Sequence, residues 1–169
     1  MIDYVLLEFL FFCSDGVGRS TLIEQYCKSF PENYKTTLGF NIFVKHVKLK
    51  QGKEVTIRLW DPSERLFFKR FNQFIYRQAN GGIIMYDITN TISLKKIADW
   101  CEEIRKLSGD IPIMLIGNKL DLIKKRAVSE EEVRNIIKKN NISSYMEVSL
   151  KTGENVDLAF EVLTKLILE

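Results

Sequence analysis

The chain has 169 residues, 46% hydrophobic and 28% charged, which suffices for one domain with a core (1–169) and is too short for two ordinary ones. Its 25 Lys and Arg against 22 Asp and Glu leave a net charge of only +3, far from the dense basic surface of an obligate nucleic-acid binder, so no nucleic-acid partner is expected. Three scattered cysteines, Cys13, Cys27 and Cys101, form no CxxC pair, so metal ribbons and disulfide frameworks are poor readings and a reducing cytoplasm is the expected compartment.

The apolar stretch 4–12 contains Glu8 and has strand length, too short for a signal peptide or a membrane span. A helical pattern follows over 21–30, then a hairpin of 40–50 and 54–60 joined at Gln51, Gly52 and Lys53. Three further strand–helix units occupy 82–86 with 93–107, 111–117 with 130–139, and 145–148 with 156–168. This alternation predicts an α/β fold, a six-stranded mixed and mostly parallel sheet flanked by about five helices, with the hairpin as its antiparallel edge.

Within the last helix, Val156, Ala159, Phe160, Leu163 and Leu166 or Ile167 recur at spacings of three and four, a stripe that packs on a sheet. Ser129 and Glu132 form a capping box at a helix start. Pro31, Pro62 and Pro112 fall at or near element boundaries, where a lost amide does least harm. Ile2 and the terminal Leu168 and Glu169 encode neither myristoylation nor prenylation, so no lipid anchor is expected.

After the first strand comes Cys13-Ser14-Asp15-Gly16-Val17-Gly18-Arg19-Ser20-Thr21, where a parallel α/β domain aims backbone amides and a helix N-terminus at one point and favours an anion. The phosphate-loop pattern GxxxxGK[ST] is kept at Gly18 and Ser20, with Cys13 for the first glycine and Arg19 for the lysine. Taken alone, the segment serves equally well as an ordinary glycine turn before a helix.

Further clusters follow in order: Lys35-Thr36-Thr37-Leu38-Gly39, Leu59-Trp60-Asp61, Tyr86-Asp87-Ile88-Thr89, Gly117-Asn118-Lys119-Leu120-Asp121 and Ser149-Leu150-Lys151. With these the chain resembles a Ras-superfamily small GTPase, nearest the Rab branch. The resemblance implies a P-loop G domain that binds GDP or GTP with Mg²⁺. Gly16, Val17, Gly18 and Arg19 would wrap the phosphates, with Asp15, Thr21 and Tyr34 alongside; Ser20, Thr37 and, through water, Asp61 would hold the metal with hard oxygen ligands.

The same resemblance makes Asn118, Lys119 and Asp121 the guanine reader, with Asp121 accepting from the ring N–H and the exocyclic amine that adenine lacks. Ser149, Leu150 and Lys151 match the family's SAK motif, and the Leu150 amide would meet the guanine oxygen. Phe30 would cover the base, though core packing explains it as well.

The second switch departs from the family. Counting from Asp61, its glycine position holds Glu64 and its water-positioning glutamine position holds Arg65, so no catalytic residue is intact. Asp15 adds negative charge near the third phosphate, and a like-charge contact at ~6 Å with an effective dielectric near 20 costs about 3 kcal/mol. Arg19 keeps a cation but not a compact ammonium, and Arg65 cannot orient water as an amide does. The expectation is a guanine-nucleotide-binding, Rab-like regulatory protein with slow or impaired GTP hydrolysis. The rivals are a slow switch completed by a partner and a nucleotide-free pseudo-GTPase that acts as an interaction module; a small-molecule P-loop kinase has no use for NKxD.

Ile42, Trp60 and Ile75 align with the apolar triad through which Rab-type proteins meet effectors, and the chain is expected to be a monomer that engages effector or regulatory proteins through its switches. Trp60 reads equally as core at a strand end. The aromatic run Leu66, Phe67, Phe68, Phe71 and Phe74 suggests either a packed helix or a partner face. His46 and the basic loop Lys124, Lys125 and Arg126 read as solvated.

Overall fold

The computed structural model describes residues 5–29, 40–49, 52–62 and 69–169. Its sheet runs β2-β3-β4-β1-β5-β6-β7, built from β1 (Val5–Cys13), β2 (Lys28–Ser29), β3 (Phe40–Lys48), β4 (Glu54–Pro62), β5 (Gly81–Asp87), β6 (Ile113–Asn118) and β7 (Ser144–Glu147). Strands β4, β1, β5, β6 and β7 are mutually parallel, and β3 pairs antiparallel with β4. The mixed α/β sheet expected from the sequence is therefore present, extended at its antiparallel edge by the two-residue β2.

Strand β1 sits between β4 and β5 and is covered on both faces. Leu7, Phe9, Phe11 and Cys13 enter one buried layer, while Leu10 and Phe12 enter the other. A strand buried on both sides has no reason to alternate apolar with polar, which accounts for its nearly unbroken apolar run. Glu8 interrupts that run without being stranded. It lies opposite Arg58 in the parallel register, forms an ion pair with it, and accepts the Trp60 indole N–H at 2.5 Å.

Among the described residues, five α-helices cover the sheet. On the first face lie α1 (Arg19–Tyr26), through Leu22, and α5 (Val156–Leu168), through Val156, Ala159, Phe160 and Leu163. On the second lie α2 (Lys69–Gln78), α3 (Ile97–Ser108) and α4 (Glu130–Lys139), through Ile75 and Tyr76, Ile97, Cys101 and Ile104, and Val133. The α5 stripe closes with Ile167, which packs on the core, and leaves Leu166 exposed. Each such buried side chain stabilises by about 1.5–3 kcal/mol. The α4 capping box forms as expected, with Ser129 and Glu132 satisfying each other's backbone amides.

Two helices differ from expectation. The pattern 21–30 predicts one helix, but α1 stops at Tyr26; Cys27 is extended and Lys28 and Ser29 pair with Val44 and Phe43. No glycine or proline marks that stop. Backbone pairing with the β3 edge takes precedence over local helix preference, an effect of tertiary context on propensity. The pattern 93–107 divides into a 3-10 turn, Thr91–Leu94, and α3, because the Asn90 carboxamide caps Ile92 and the buried Ser93 hydroxyl donates to the Asn90 carbonyl.

The chain leaves β1 toward β3 and β4, then crosses to β5, β6 and β7 on the other side. The loop after β1 thus opens at a topological switch point, where open α/β sheets place their ligands outside the carboxyl ends of the strands.

Candidate functional site

The phosphate-loop segment Ser14 to Gly18 connects β1 to α1 in the predicted place. Val17 is 1% exposed and anchors the loop, whereas Asp15, Gly16 and Ser20 are exposed. Gly18, the N-cap of α1, has φ +132°, and a Cβ there would lie 2.4 Å from the Asn118 Nδ2, so only glycine fits.

The two departures from the phosphate-loop pattern touch each other. Arg19 donates from Nη2 to the Cys13 carbonyl at 2.7 Å and from Nε to the Cys13 Sγ at 3.4 Å, and its Nη1 donates to Asp61 Oδ1 at 2.7 Å. Burial pushes the Cys13 thiol pKa up against the pull of Arg19. Burial likewise works against the guanidinium charge, yet Cys13 and Asp61 hold its pKa above the ordinary arginine value. Asp61 is 1% exposed, so this is a desolvated carboxylate already matched by a cation.

The residues expected to read the base are joined by Asn118 at the tip of β6. Its Nδ2 donates to the Val17 carbonyl at 2.7 Å, and its Oδ1 accepts from the Leu150 amide at 3.0 Å. One side chain thereby joins the phosphate loop, the NKxD loop and the SLK loop. Ser149 donates to Asp121 Oδ1 at 2.7 Å and fixes that carboxylate, while Tyr26 donates to the Leu150 carbonyl at 2.7 Å. The Leu150 amide assigned to the guanine oxygen is the one that Asn118 engages.

Lys119, in the left-handed conformation at φ +73°, places its ammonium 2.7 Å from Asp87 Oδ2. Burial alone would raise the Asp87 pKa, but hydrogen bonds from Lys119 and Thr89 hold it below the usual carboxylate range. Beneath this loop, Tyr86 and Tyr145 share a hydroxyl contact of 2.8 Å, Tyr145 donates to Glu147 at 2.6 Å, and Arg126 grips both Glu147 oxygens at 2.8 and 2.6 Å. The expectation of a solvated Arg126 is thus corrected: the guanidinium is a fork that matches a carboxylate, while Lys124 and Lys125 are exposed. Asp87 and Thr89 carry a sequence signal in their two-residue spacing, which suits a side-chain turn in which Asp87 Oδ1 accepts from the Thr89 amide at 2.8 Å.

Phe30, Tyr34 and Thr37, with Glu64 and Arg65, lie outside the described residues, as do Leu66, Phe67 and Phe68. Thr21 lies within α1, and Lys151 is exposed beyond Leu150. Ile42 and Ile75 are only 6% and 7% exposed, and Trp60 is half-buried with its indole engaged by Glu8, so the triad offers little apolar surface. Among the described residues the large exposed aromatic is Phe74, at 64%. His46 is exposed, as expected, with Nδ1 3.2 Å from Thr56 Oγ1.

For Mg²⁺, the described residues offer the exposed Ser20 hydroxyl and the Asp61 carboxylate, and the latter already carries a guanidinium. Among the described residues, no cluster of three or more His, Cys, Asp or Glu is arranged for a metal. In nucleotide sites magnesium takes one or two protein oxygens and the rest from phosphates and water; of these two described donors only Asp61 is charged, and Arg19 already compensates it, so they fit the ion poorly. No described helix is long and apolar enough to cross a membrane.

An open, largely parallel sheet with two converging loops at the carboxyl ends of β1 and β6 defines an α/β small G domain. The Ras family model matches residues 8–169. The chain is 32% identical over 166 residues to the Ras-related protein Rab-1 of Theileria parva, covering 96% of this chain and 74% of that protein. It is 34% identical over 167 residues to the GTP-binding protein ypt3 of Schizosaccharomyces pombe, covering 97% and 77%. To the Ras-related protein Rab-13 of Canis lupus familiaris it is 33% identical over 165 residues, covering 96% and 80%. The chain belongs to the Ras family of small GTPases, close to its Rab branch. Members of this family generally bind guanine nucleotide with Mg²⁺ and engage effector or regulatory proteins.

Proposed function

We propose that this chain is a guanine-nucleotide-binding regulatory module with an intact base end and a phosphate end that contributes little to hydrolysis. The observation that carries the reading is the Asn118 carboxamide, which joins Val17 to Leu150 while Ser149 orients Asp121. Two loops brought into register by one buried side chain are a preorganised polar site, and a base lacking the matching donors would leave Asp121 unpaired. Impaired hydrolysis is read from Glu64 and Arg65 at the switch glycine and glutamine positions and from Asp15 in the phosphate loop. With no amide to hold the attacking water, transition-state stabilisation is expected to be small.

The test is to denature freshly purified protein, identify released nucleotide by anion-exchange chromatography, and titrate stripped protein with GDP and GTP. Near-stoichiometric guanine nucleotide supports the reading. In single-turnover assays, GTP cleavage without a partner at rates typical of stimulated GTPases would refute impaired hydrolysis.

A second reading, a nucleotide-free interaction module, is favoured by the Arg19–Asp61 pair, which engages two groups assigned to phosphate and metal with each other. It expects thermal stability that ignores GDP and GTP. Under either reading the chain is proposed to act as a cytoplasmic monomer that meets protein partners through its switch surface, where Phe74 is exposed.

A further inference from the structure

Guanidinium and carboxylate at the phosphate end are mutually satisfied. Arg19 spends Nη1 on Asp61, Nη2 on the Cys13 carbonyl and Nε on the Cys13 sulfur. Asp61 is 1% exposed at the end of β4, so a metal drawing on it, directly or through water, would meet a desolvated carboxylate whose charge a guanidinium already compensates. A lysine would be a point charge free to leave such a partner; the planar fork of arginine, held at three positions, is not interchangeable with it. Cys13, at the first glycine position of the pattern, accepts through its backbone carbonyl, which any residue would supply, and through its sulfur at 3.4 Å, the one anchor that depends on the cysteine.

We infer that the Arg19–Asp61 ion pair takes the place of the divalent cation, so that guanine nucleotide binding by this chain is indifferent to Mg²⁺. The inference rests on the proposed nucleotide site. It gives Arg19 a positioning role: it neutralises Asp61 next to the loop, and backbone amides of the loop and of the α1 N-terminus are left to meet the phosphates.

The experiment is equilibrium titration of stripped protein with fluorescent GDP in excess MgCl₂ and again in EDTA, for the natural chain and for Asp61→Asn and Arg19→Lys, with folding of each checked by circular dichroism. The natural chain is expected to show the same affinity within about threefold in both media. Asp61→Asn, which keeps the side chain's size and releases the Arg19 charge, is expected to bind GDP more tightly in both media. If Asp61 anchors a metal instead, the same variant weakens binding in MgCl₂ only. A loss of about tenfold or more on adding EDTA to the natural chain overturns the inference, as does indifference to EDTA accompanied by an unchanged Asp61→Asn affinity. Arg19→Lys is expected to acquire a dependence on Mg²⁺, and its failure to do so while folded removes the arginine from the explanation. Absence of GDP binding in either medium, by contrast, refutes the nucleotide site itself and with it the inference.

Discussion

The Asn118 side chain reaches the carbonyl of Val17, 2.7 Å away and 101 positions earlier in the chain. Both partners are buried, at 4% and 1% exposure, so neither exchanges this bond for water without opening the site. Asn118→Ala leaves the Val17 carbonyl and the Leu150 amide unsatisfied, and such buried groups cost about 1–3 kcal/mol each. The expected outcome is a urea midpoint lowered with an unchanged slope, together with loss of GDP binding. Full stability in Asn118→Ala would mean that the loops are held together by something else.

Gly18 and Gly16 make a paired test. Both have positive φ, but a Cβ at Gly18 meets the Asn118 amide at 2.4 Å whereas a Cβ at Gly16 meets nothing within 4 Å. Gly16→Ala is expected to lose about 1–2 kcal/mol from backbone conformation alone. Gly18→Ala loses more and also weakens guanine nucleotide binding, because Asn118 must move. Equal effects of the two changes in chemical unfolding would count against the close approach.

Acid should unfold the protein through a narrow window. Hydrogen bonds from Arg126 hold the Glu147 pKa below the usual range against its burial, and Asp87 is likewise lowered. A carboxylate with a depressed folded-state pKa stabilises fully above its unfolded value, about 4.3 for Glu and 3.9 for Asp, and loses that contribution as the pH falls through the folded value. Stability is therefore expected to be insensitive to these groups from pH 7 to about 5 and to fall below about pH 4. Glu147→Gln should lie below the natural chain at pH 7 and converge with it in acid. A gap that stays constant with pH in urea unfolding would show that charge plays no part.

Glu8 controls Trp60. Glu8→Ala removes the carboxylate to which the indole N–H donates at 2.5 Å and with which Arg58 pairs, leaving Arg58 only its place over the Trp60 ring. A red shift of Trp60 emission is expected, read in a Trp100→Phe background because the chain's second tryptophan, packed against Phe12, emits in the same band. An unchanged spectrum would indicate that the sheet, not Glu8, holds Trp60.

The residues proposed to read the base could be picked out because they form short local clusters, Asn118 with Asp121 and Ser149 with Leu150, and the structure brings these clusters together. The phosphate end was not legible in this way, because the pattern records that Arg19 replaces a lysine but cannot say that its guanidinium turns to Asp61, 42 positions away. Arg126 was misread as solvated for the same reason, since Glu147 joins it only through the parallel pairing of β6 and β7. In sequence, Trp60 fits both an exposed contact residue and core at a strand end; the structure leaves it half-buried, and the register that sets Glu8 beside Arg58 gives it a partner. The two-residue strand β2 has no sequence signal at all, being recruited by the free edge of β3.

The central position of β1 also has a consequence for how the protein is made. The strand precedes both of its neighbours in the chain: its pairing with β4 begins at Val55 and with β5 at Gly81. During synthesis it emerges with Leu7, Phe9, Leu10, Phe11 and Phe12 uncovered and must wait for partners not yet translated. Glu8, unpaired at that stage, keeps a charge in the middle of this sticky run, and so serves as a gatekeeper against self-association before it becomes the ligand of Arg58.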